Sequence, residues 1–339
     1  MRLPPRWLRR LTIAPAVVLL VVAAALTLPL WVIAAAFLSR YVPGDLRILR
    51  NIWFLFLYLL VEAASLVIMF VLWVASGFGW KIRSPRFQRA HYRLLGLMLG
   101  TVMRTAKRTF RLSIVMDGPA PSTGAIRTRP ALVLSRHAGP GDSMMLMDAI
   151  CNVYKREPRI VLKEFLQWDP AVDVILNRLP ASFVSSGGNA GDAAVEAIAD
   201  LAETMDIDDA FVIFPEGANY TKGRSERAIQ KLLEIGRPDL AERAQLLKTT
   251  LPPKPKGVMT ALHKAPLGSD VFLVGHAGLE ALLTASDIWR AIPIDTRVAV
   301  KIWHFPAEQI PGPREQEAWL YDRWAEIDEW IGGHLEATG

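Results

Sequence analysis

The pattern of apolar and polar positions divides this chain into two kinds of territory. From Leu11 to Ser39 no charged residue interrupts 29 positions, and from Asn51 to Trp80 only Glu62 does so in 30. About 20 apolar residues, rising 1.5 Å each, cross the hydrocarbon of a bilayer. Both runs therefore predict membrane-spanning helices, with slack for tilt or for a bend at Pro29. A cleaved signal peptide has an apolar core of roughly 7–15 residues, so the first run is too long for that reading. Glu62, near the middle of the second run, is expected to face the partner helix or to be protonated.

Beyond residue 111 the pattern changes. Apolar runs of strand length recur at Leu112–Met116, Ala131–Ser135, Arg159–Leu162, Ala181–Val184, Ala210–Phe214, Val271–Val274 and Arg297–Phe305. Amphipathic helical stretches lie among them, clearest at Asp192–Met205, Arg224–Ile235 and Gln316–Leu335. Such alternation predicts an α/β domain with a central mostly parallel or mixed sheet flanked by helices, preceded by an N-terminal two-helix transmembrane hairpin. Asp117–Pro130, with Gly118, Pro119, Pro121, Ser122 and Gly124, reads as a loop, and Leu251-Pro252-Pro253-Lys254-Pro255-Lys256-Gly257 as a second break. No internal repeat or low-complexity tract is visible.

Charge sharpens the division. The 339 residues are 52% hydrophobic and only 21% charged. Residues 1–111 carry sixteen Lys and Arg against Asp45 and Glu62, a net +14, whereas the remainder is −8. The cations flank uncharged runs instead of gathering on a soluble recognition element, which excludes a nucleic-acid partner and points to a membrane. Arg2, Arg6, Arg9 and Arg10 precede the first run, and Lys81, Arg83, Arg86, Arg89 and Arg93 follow the second. Arg40, Arg47 and Arg50 lie between. The positive-inside rule then expects the N-terminus and the whole C-terminal domain on the cytoplasmic side of what would be a bacterial plasma membrane, with the connection on the far side. Gln88–Arg111 interleaves Leu94, Leu95, Leu97, Met98, Val102 and Met103 with basic residues. It reads as a helix in an anionic membrane surface or as a buried helix with a solvated basic side. The expected division is 1–80 hairpin, 81–111 basic amphipathic segment and 112–339 α/β domain. A single cysteine, Cys151, excludes an internal disulfide framework or a Cys-rich zinc site.

The chemistry gathers at two places. After Ala131–Ser135 comes Arg136-His137-Ala138-Gly139-Pro140-Gly141-Asp142, and a helical pattern starts at once. Asp142 can accept from one imidazole nitrogen of His137, which frees the other to take a proton from a hydroxyl. Equally, Asp142 can be a helix cap and His137 a loop residue. The second place is Phe211–Phe214 ending in Pro215-Glu216-Gly217, at a strand end where α/β sheets build sites.

The pair His137-x4-Asp142 and Phe214-Pro215-Glu216-Gly217 resembles the glycerolipid acyltransferases, the family of lysophosphatidic acid and other lysophospholipid acyltransferases. Lys163-Glu164-Phe165-Leu166, with Asp169-Pro170 and Phe183-Val184, is similar to that family's second block. Leu251-Pro252-Pro253 to Gly257 is similar to a block of its lysocardiolipin-type branch. The resemblance covers about Ala131 to Gly278. It implies transfer of a fatty acyl group from acyl-CoA, as co-substrate, to a lysophospholipid or related lipid acceptor at the membrane, with no further cofactor and no metal. His137 would be the general base and Asp142 its orienter. Attack would be direct, without an acyl-enzyme. Phe214, Pro215, Glu216, Gly217, Asn219 and Lys163 would bind substrate, and Lys222, Arg224 and Arg227 would be available for phosphates. Two other functions share the features: a CoA-independent lipid transacylase, and a non-catalytic lipid-binding membrane protein.

This sequence departs from the family where arginines follow the Pro-Glu-Gly block and end the second block. Asn219 and Ser185-Ser186 stand there, and neither side chain makes the bidentate charged contact of an arginine. The departure expects a phosphodiester or polyol acceptor to be preferred over a phosphate monoester.

Overall fold

The computed structural model describes residues 3–338 except 120, 122–126, 140, 186–189 and 283. The readings that fall on Arg2, Ser122, Gly124, Pro140 and Ser186 lie outside the described residues. In chain order the helices are α1 (Arg6–Leu38), α2 (Arg47–Ala75), α3 (Pro85–Phe110), α4 (Asp142–Asp148), α5 (Pro170–Leu176), α6 (Ala190–Glu203), α7 (Lys222–Glu234), α8 (Pro238–Gln245), α9 (Pro255–Lys264), α10 (Ala285–Ala291) and α11 (Gln316–Thr338). The strands are β1 (Ser113–Met116), β2 (Ala131–Ser135), β3 (Glu157–Lys163), β4 (Ala181–Val184), β5 (Asp209–Ile213), β6 (Asp270–Ala277) and β7 (Arg297–Phe305). Two compact units emerge. The first holds Met1–Ser113, Met144–Ala190 and Ala285–Thr296, and the second Ile114–Ser143, Gly191–Thr284 and Arg297–Gly339.

In the first unit α1 continues through Pro15 and Pro29 as one helix. The second apolar run stops being helical at Ala75, since Gly77, Phe78 and Gly79 adopt φ of 73°, 54° and 95°. Both helices are long and apolar enough to cross a membrane. A core helix of a soluble protein passes the same length test, yet only 6% of the most apolar window of α1 is covered by protein. Where the unit does have a core, Leu66 and Met69 of α2 meet Tyr92 and Leu94 of α3 and Ala171, Val174 and Ile175 of α5. Ala14, Val17 and Val18 of α1 pack against that cluster.

A buried ion pair latches α5 beneath the start of α1: Arg9 Nη2 donates to Asp173 Oδ1 at 2.8 Å and to Gln167 Oε1 at 2.9 Å. Glu62 is buried beside Asp169 and the Ala171 N–H at the start of α5. The apolar stripe of α3 is not turned to lipid. Leu94, Val102 and Met103 are buried, Gly96 and Gly100 admit Asn152, and the exposed stripe is Arg89, Arg93, Leu97, Arg104 and Arg108.

The connection between α1 and α2 is also held by protein. Arg47 donates to the carbonyls of Ile292 (2.9 Å) and Arg290 (2.8 Å), Arg50 donates to that of Thr109 (2.6 Å), and Arg111 pairs with Asp45. The chain passes from Arg111 into β1 and from Thr296 into β7 within two positions. All these contacts lie within the first unit. The charge-free stretch of α3, Leu94–Met103, is ten residues long, about half of a span.

In the second unit the strand order is β1-β7-β6-β2-β5. β2 runs parallel to both neighbours, with Leu132 opposite Phe211 and Val271, while β7 is antiparallel to β6. The sheet is thus mixed, and helices flank it. Every residue of β2, β5 and β6 is buried, which is why these strands read as unbroken apolar runs. α11 presents Leu320, Trp324, Ile327 and Ile331, spaced four, three and four, as a fully buried stripe. In the first unit β3 and β4 pair in parallel from Ile160–Ala181 to Lys163–Val184.

Candidate active site

Because β2, β5 and β6 are parallel, their C-terminal ends meet at one edge of the sheet, where His137, Phe214 and His276 follow or end the three strands. There His137 Nδ1 lies 2.8 Å from Asp142 Oδ2. The same oxygen accepts the N–H groups of Ala138 at 2.7 Å and Gly139 at 3.2 Å, and Oδ1 accepts the Ser143 N–H at 2.5 Å. Asp142 is therefore both the first residue of α4 and the partner of His137, so the two readings left open by the sequence coexist. The backbone packs closely at Gly139, where a Cβ would lie 3.1 Å from the Leu282 carbonyl.

Asp142 is 1% exposed and His137 30% at the side chain. Burial opposes the Asp142 charge, but the hydrogen bond from His137 and the approach of His276 outweigh it and hold the carboxyl well below the usual carboxylate range. An ionised carboxylate only accepts, so Nδ1 of His137 carries the proton and Nε2 offers its lone pair. The ring rests against Phe214, with centroids 5.1 Å apart.

After β5, Phe214-Pro215-Glu216-Gly217 closes a turn through Gly217 N–H to Phe214 O at 3.0 Å, and Gly217 takes φ +68°. Glu216 is turned inward. Its Oε1 accepts the His137 N–H at 3.2 Å and its Oε2 the Leu251 N–H at 2.9 Å. This carboxylate braces the backbone of the base against the Leu251–Gly257 block. Burial pushes its pKa up to about 7. The block joins the turn a second time through Lys254 N–H to Pro215 O at 3.0 Å, and a Cβ on Gly217 would meet Lys254 Nζ at 2.7 Å.

Around this centre are residues that the motifs did not mark. Buried Arg136 donates to the carbonyls of His276 (2.6 Å) and Thr249 (3.3 Å) and pairs with Glu280. Asp328 of α11 gathers the backbone N–H groups of Lys248, Thr249 and Thr250 at 2.7–2.9 Å, fixing the approach to Leu251. The signal that could have found them is polarity at strand ends and mid-helix within otherwise apolar stretches.

Asn219 does not leave its place without a guanidinium. Arg224, five residues on at the start of α7, donates to both the side-chain and backbone oxygens of Asn219. Arg178 is used in the first unit, where it donates to Met69 O at 2.8 Å and meets His91 Nε2 at 3.0 Å. Lys163, exposed at the end of β3, belongs to the first unit.

No curated protein and no solved structure matches the chain. Residues 121–266, which hold His137, Asp142, the Phe214–Gly217 turn and Lys254, match the family model described as Acyltransferase, and that match supports an acyltransferase of lipid metabolism.

Proposed function

We propose that this protein transfers a fatty acyl group from acyl-CoA to a hydroxyl of a lysophospholipid or related membrane lipid. The observation that carries the reading is the 2.8 Å contact of His137 Nδ1 with a buried, ionised Asp142, which leaves Nε2 as a base on the partly exposed side. His137 Nε2 takes the proton as the acceptor oxygen bonds to the thioester carbonyl carbon. The tetrahedral intermediate then expels the thiolate of CoA, and the proton passes from His137 to that sulfur. Asp142 holds the imidazole in one tautomer and stabilises the imidazolium. Attack is direct, consistent with a Cys151 thiol that burial pushes up to about 12, too high for a thiolate nucleophile at neutral pH. Lys254 over Gly217 and Arg224 at Asn219 suit a phosphate of either substrate. Mass spectrometry of products from purified protein given mixed acyl-CoAs and a panel of lysolipids tests the reading. Acylated lysolipid formed only with acyl-CoA supports it. Transfer from phospholipid without CoA, or no transfer at all, overturns it.

The contacts at both ends of the hairpin support entry into the membrane from one side, with Trp7, Phe78 and Trp80 exposed at the end where α1 begins and α2 has finished. A cysteine at exposed Tyr41 tests this. In intact cells an impermeant thiol reagent should leave cysteines at Tyr41 and near both termini unlabelled, and labelling at Tyr41 alone would restore the crossing hairpin.

A further inference from the structure

Beneath the dyad lies a histidine that the mechanism above does not use. His276, near the end of β6, is 1% exposed, and neither of its ring nitrogens makes a hydrogen bond among the described residues. A neutral imidazole carries one N–H donor, and leaving such a group buried and unpaired is costly. Its Nε2 stands 3.6 Å from Asp142 Oδ2, the oxygen that holds His137. The other charged groups of this region are committed elsewhere. Arg136 pairs with Glu280 and donates to the His276 carbonyl, and Glu216 accepts from the backbones of His137 and Leu251. Asp142 is thus the carboxylate that faces the His276 ring.

We propose that His276 is a positioning residue for acyl transfer, acting through Asp142: its Nε2–H closes on Asp142 Oδ2, fixes the carboxylate and moderates the basicity of His137. The inference rests on His137 being the base. A separation of 3.6 Å is just beyond a hydrogen bond, and catalytic contacts that are long in a free enzyme tighten when substrate binds. The physical consequence has one sign. A donor aimed at Asp142, whether a neutral N–H or an imidazolium, drains the carboxylate of the charge that stabilises protonated His137. Taking it away makes His137 hold its proton to higher pH.

The test compares kcat/KM against pH for the full-length parent, His276→Leu, His276→Gln and His137→Ala, with palmitoyl-CoA and a mixed lysophospholipid panel. Glu216 titrates in the same range but is common to every variant, so it cancels in the comparison. The acidic limb of His276→Leu should move up by roughly one pH unit, whereas His276→Gln, with an amide N–H at similar reach, should stay within about a third of that shift. A merely structural histidine would lower thermal stability in both and move neither limb. An unmoved limb in an active His276→Leu overturns the proposal. Should that variant fail to fold, His276→Asn, polar but too short to reach, takes its place with the same expected shift and the same overturning result. Activity in His137→Ala would sink the acyl-transfer reading beneath it. An inactive His137→Ala with an unmoved His276→Leu limb would remove this inference alone.

Discussion

The unbroken apolar runs of β2, β5 and β6 and those of α1 and α2 look alike residue by residue, yet they end in opposite environments. The strands are covered on both faces, and Leu132, Phe211, Val271 and Leu273 are essentially inaccessible. α1 leaves Leu19, Leu26, Leu30 and Ile33 more than half exposed. What separates them is length. Five to eight residues at about 3.3 Å each are satisfied by neighbouring strands, while 29 uncharged helical residues outrun anything a domain this size can lay over them. The polar groups differ in the same way. In the second unit they are over-determined, with Asp142 and Asp328 each holding several donors. In the first they are sparse latches such as Arg9–Asp173.

The largest effect expected from breaking the over-determined side is chemical. His137→Ala should lower kcat by ~10²–10⁴-fold, the usual contribution of a positioned base, because the removed ring is part exposed and no core is opened. Asp142→Asn should retain more activity but carry a folding penalty, since its amide would face N–H donors. Initial rates, with folding verified by circular dichroism, decide it; a near-parental His137→Ala rate would mean that the dyad is a structural bond only.

On the sparse side, Asp173→Ala leaves Arg9 buried without its carboxylate, which should cost about 3–5 kcal/mol. Thermal unfolding in detergent should show a clear loss. Replacing Arg9 and Asp173 together by Met and Leu should recover much of it, because an apolar pair carries no desolvation penalty. Equal losses in the single and double variants would show that the latch is not a pairwise contact.

Glu216 sharpens the contrast through pH. Its pKa is raised from 4.5 to about 7 by burial, so between those values the folded protein binds more protons than the unfolded one. Stability from this group therefore falls as pH rises from about 4.5 to 7, by at most about 3 kcal/mol. Unfolding midpoints across that window should slope downward in the parent and less so in Glu216→Gln, and parallel slopes would place the shift elsewhere.

How much of this was legible follows the same line. The seven strands were readable because each is an apolar run closed by polar or Gly-Pro punctuation, and three of the helices because their stripes are long. α5, with seven residues, has too little period to see, and α9 was hidden in a break because Pro255 reads as a stop although it occupies the first helical turn. His137, Asp142 and the Phe214–Gly217 turn are local in sequence, hence visible. His276, Glu280 and Asp328 act across 78 to 144 positions through sheet register and helix packing, which no spacing rule encodes. The contacts of Arg47 with Arg290 and Ile292 were invisible for the same reason.

The smallest expected effect bears on Arg224, whose guanidinium the fold returns to Asn219. Because this pair is exposed, water screens it, and a charged contact there should be worth a few-fold in selectivity instead of the full value of a buried one. Arg224→Gln removes the charge and keeps a donor for Asn219. If Arg224 meets the acceptor phosphate, the monoester, with nearly two negative charges, should suffer more than a diester. Equal concentrations of lysophosphatidic acid and several lysophosphodiesters in one reaction give the ratio directly, free of differences in enzyme amount. A three- to tenfold fall in the monoester share, up to about 1.4 kcal/mol, is expected. An unchanged ratio with a raised KM for acyl-CoA would move Arg224 to the donor side, and no change in either would leave it a solvated residue on the α7 surface.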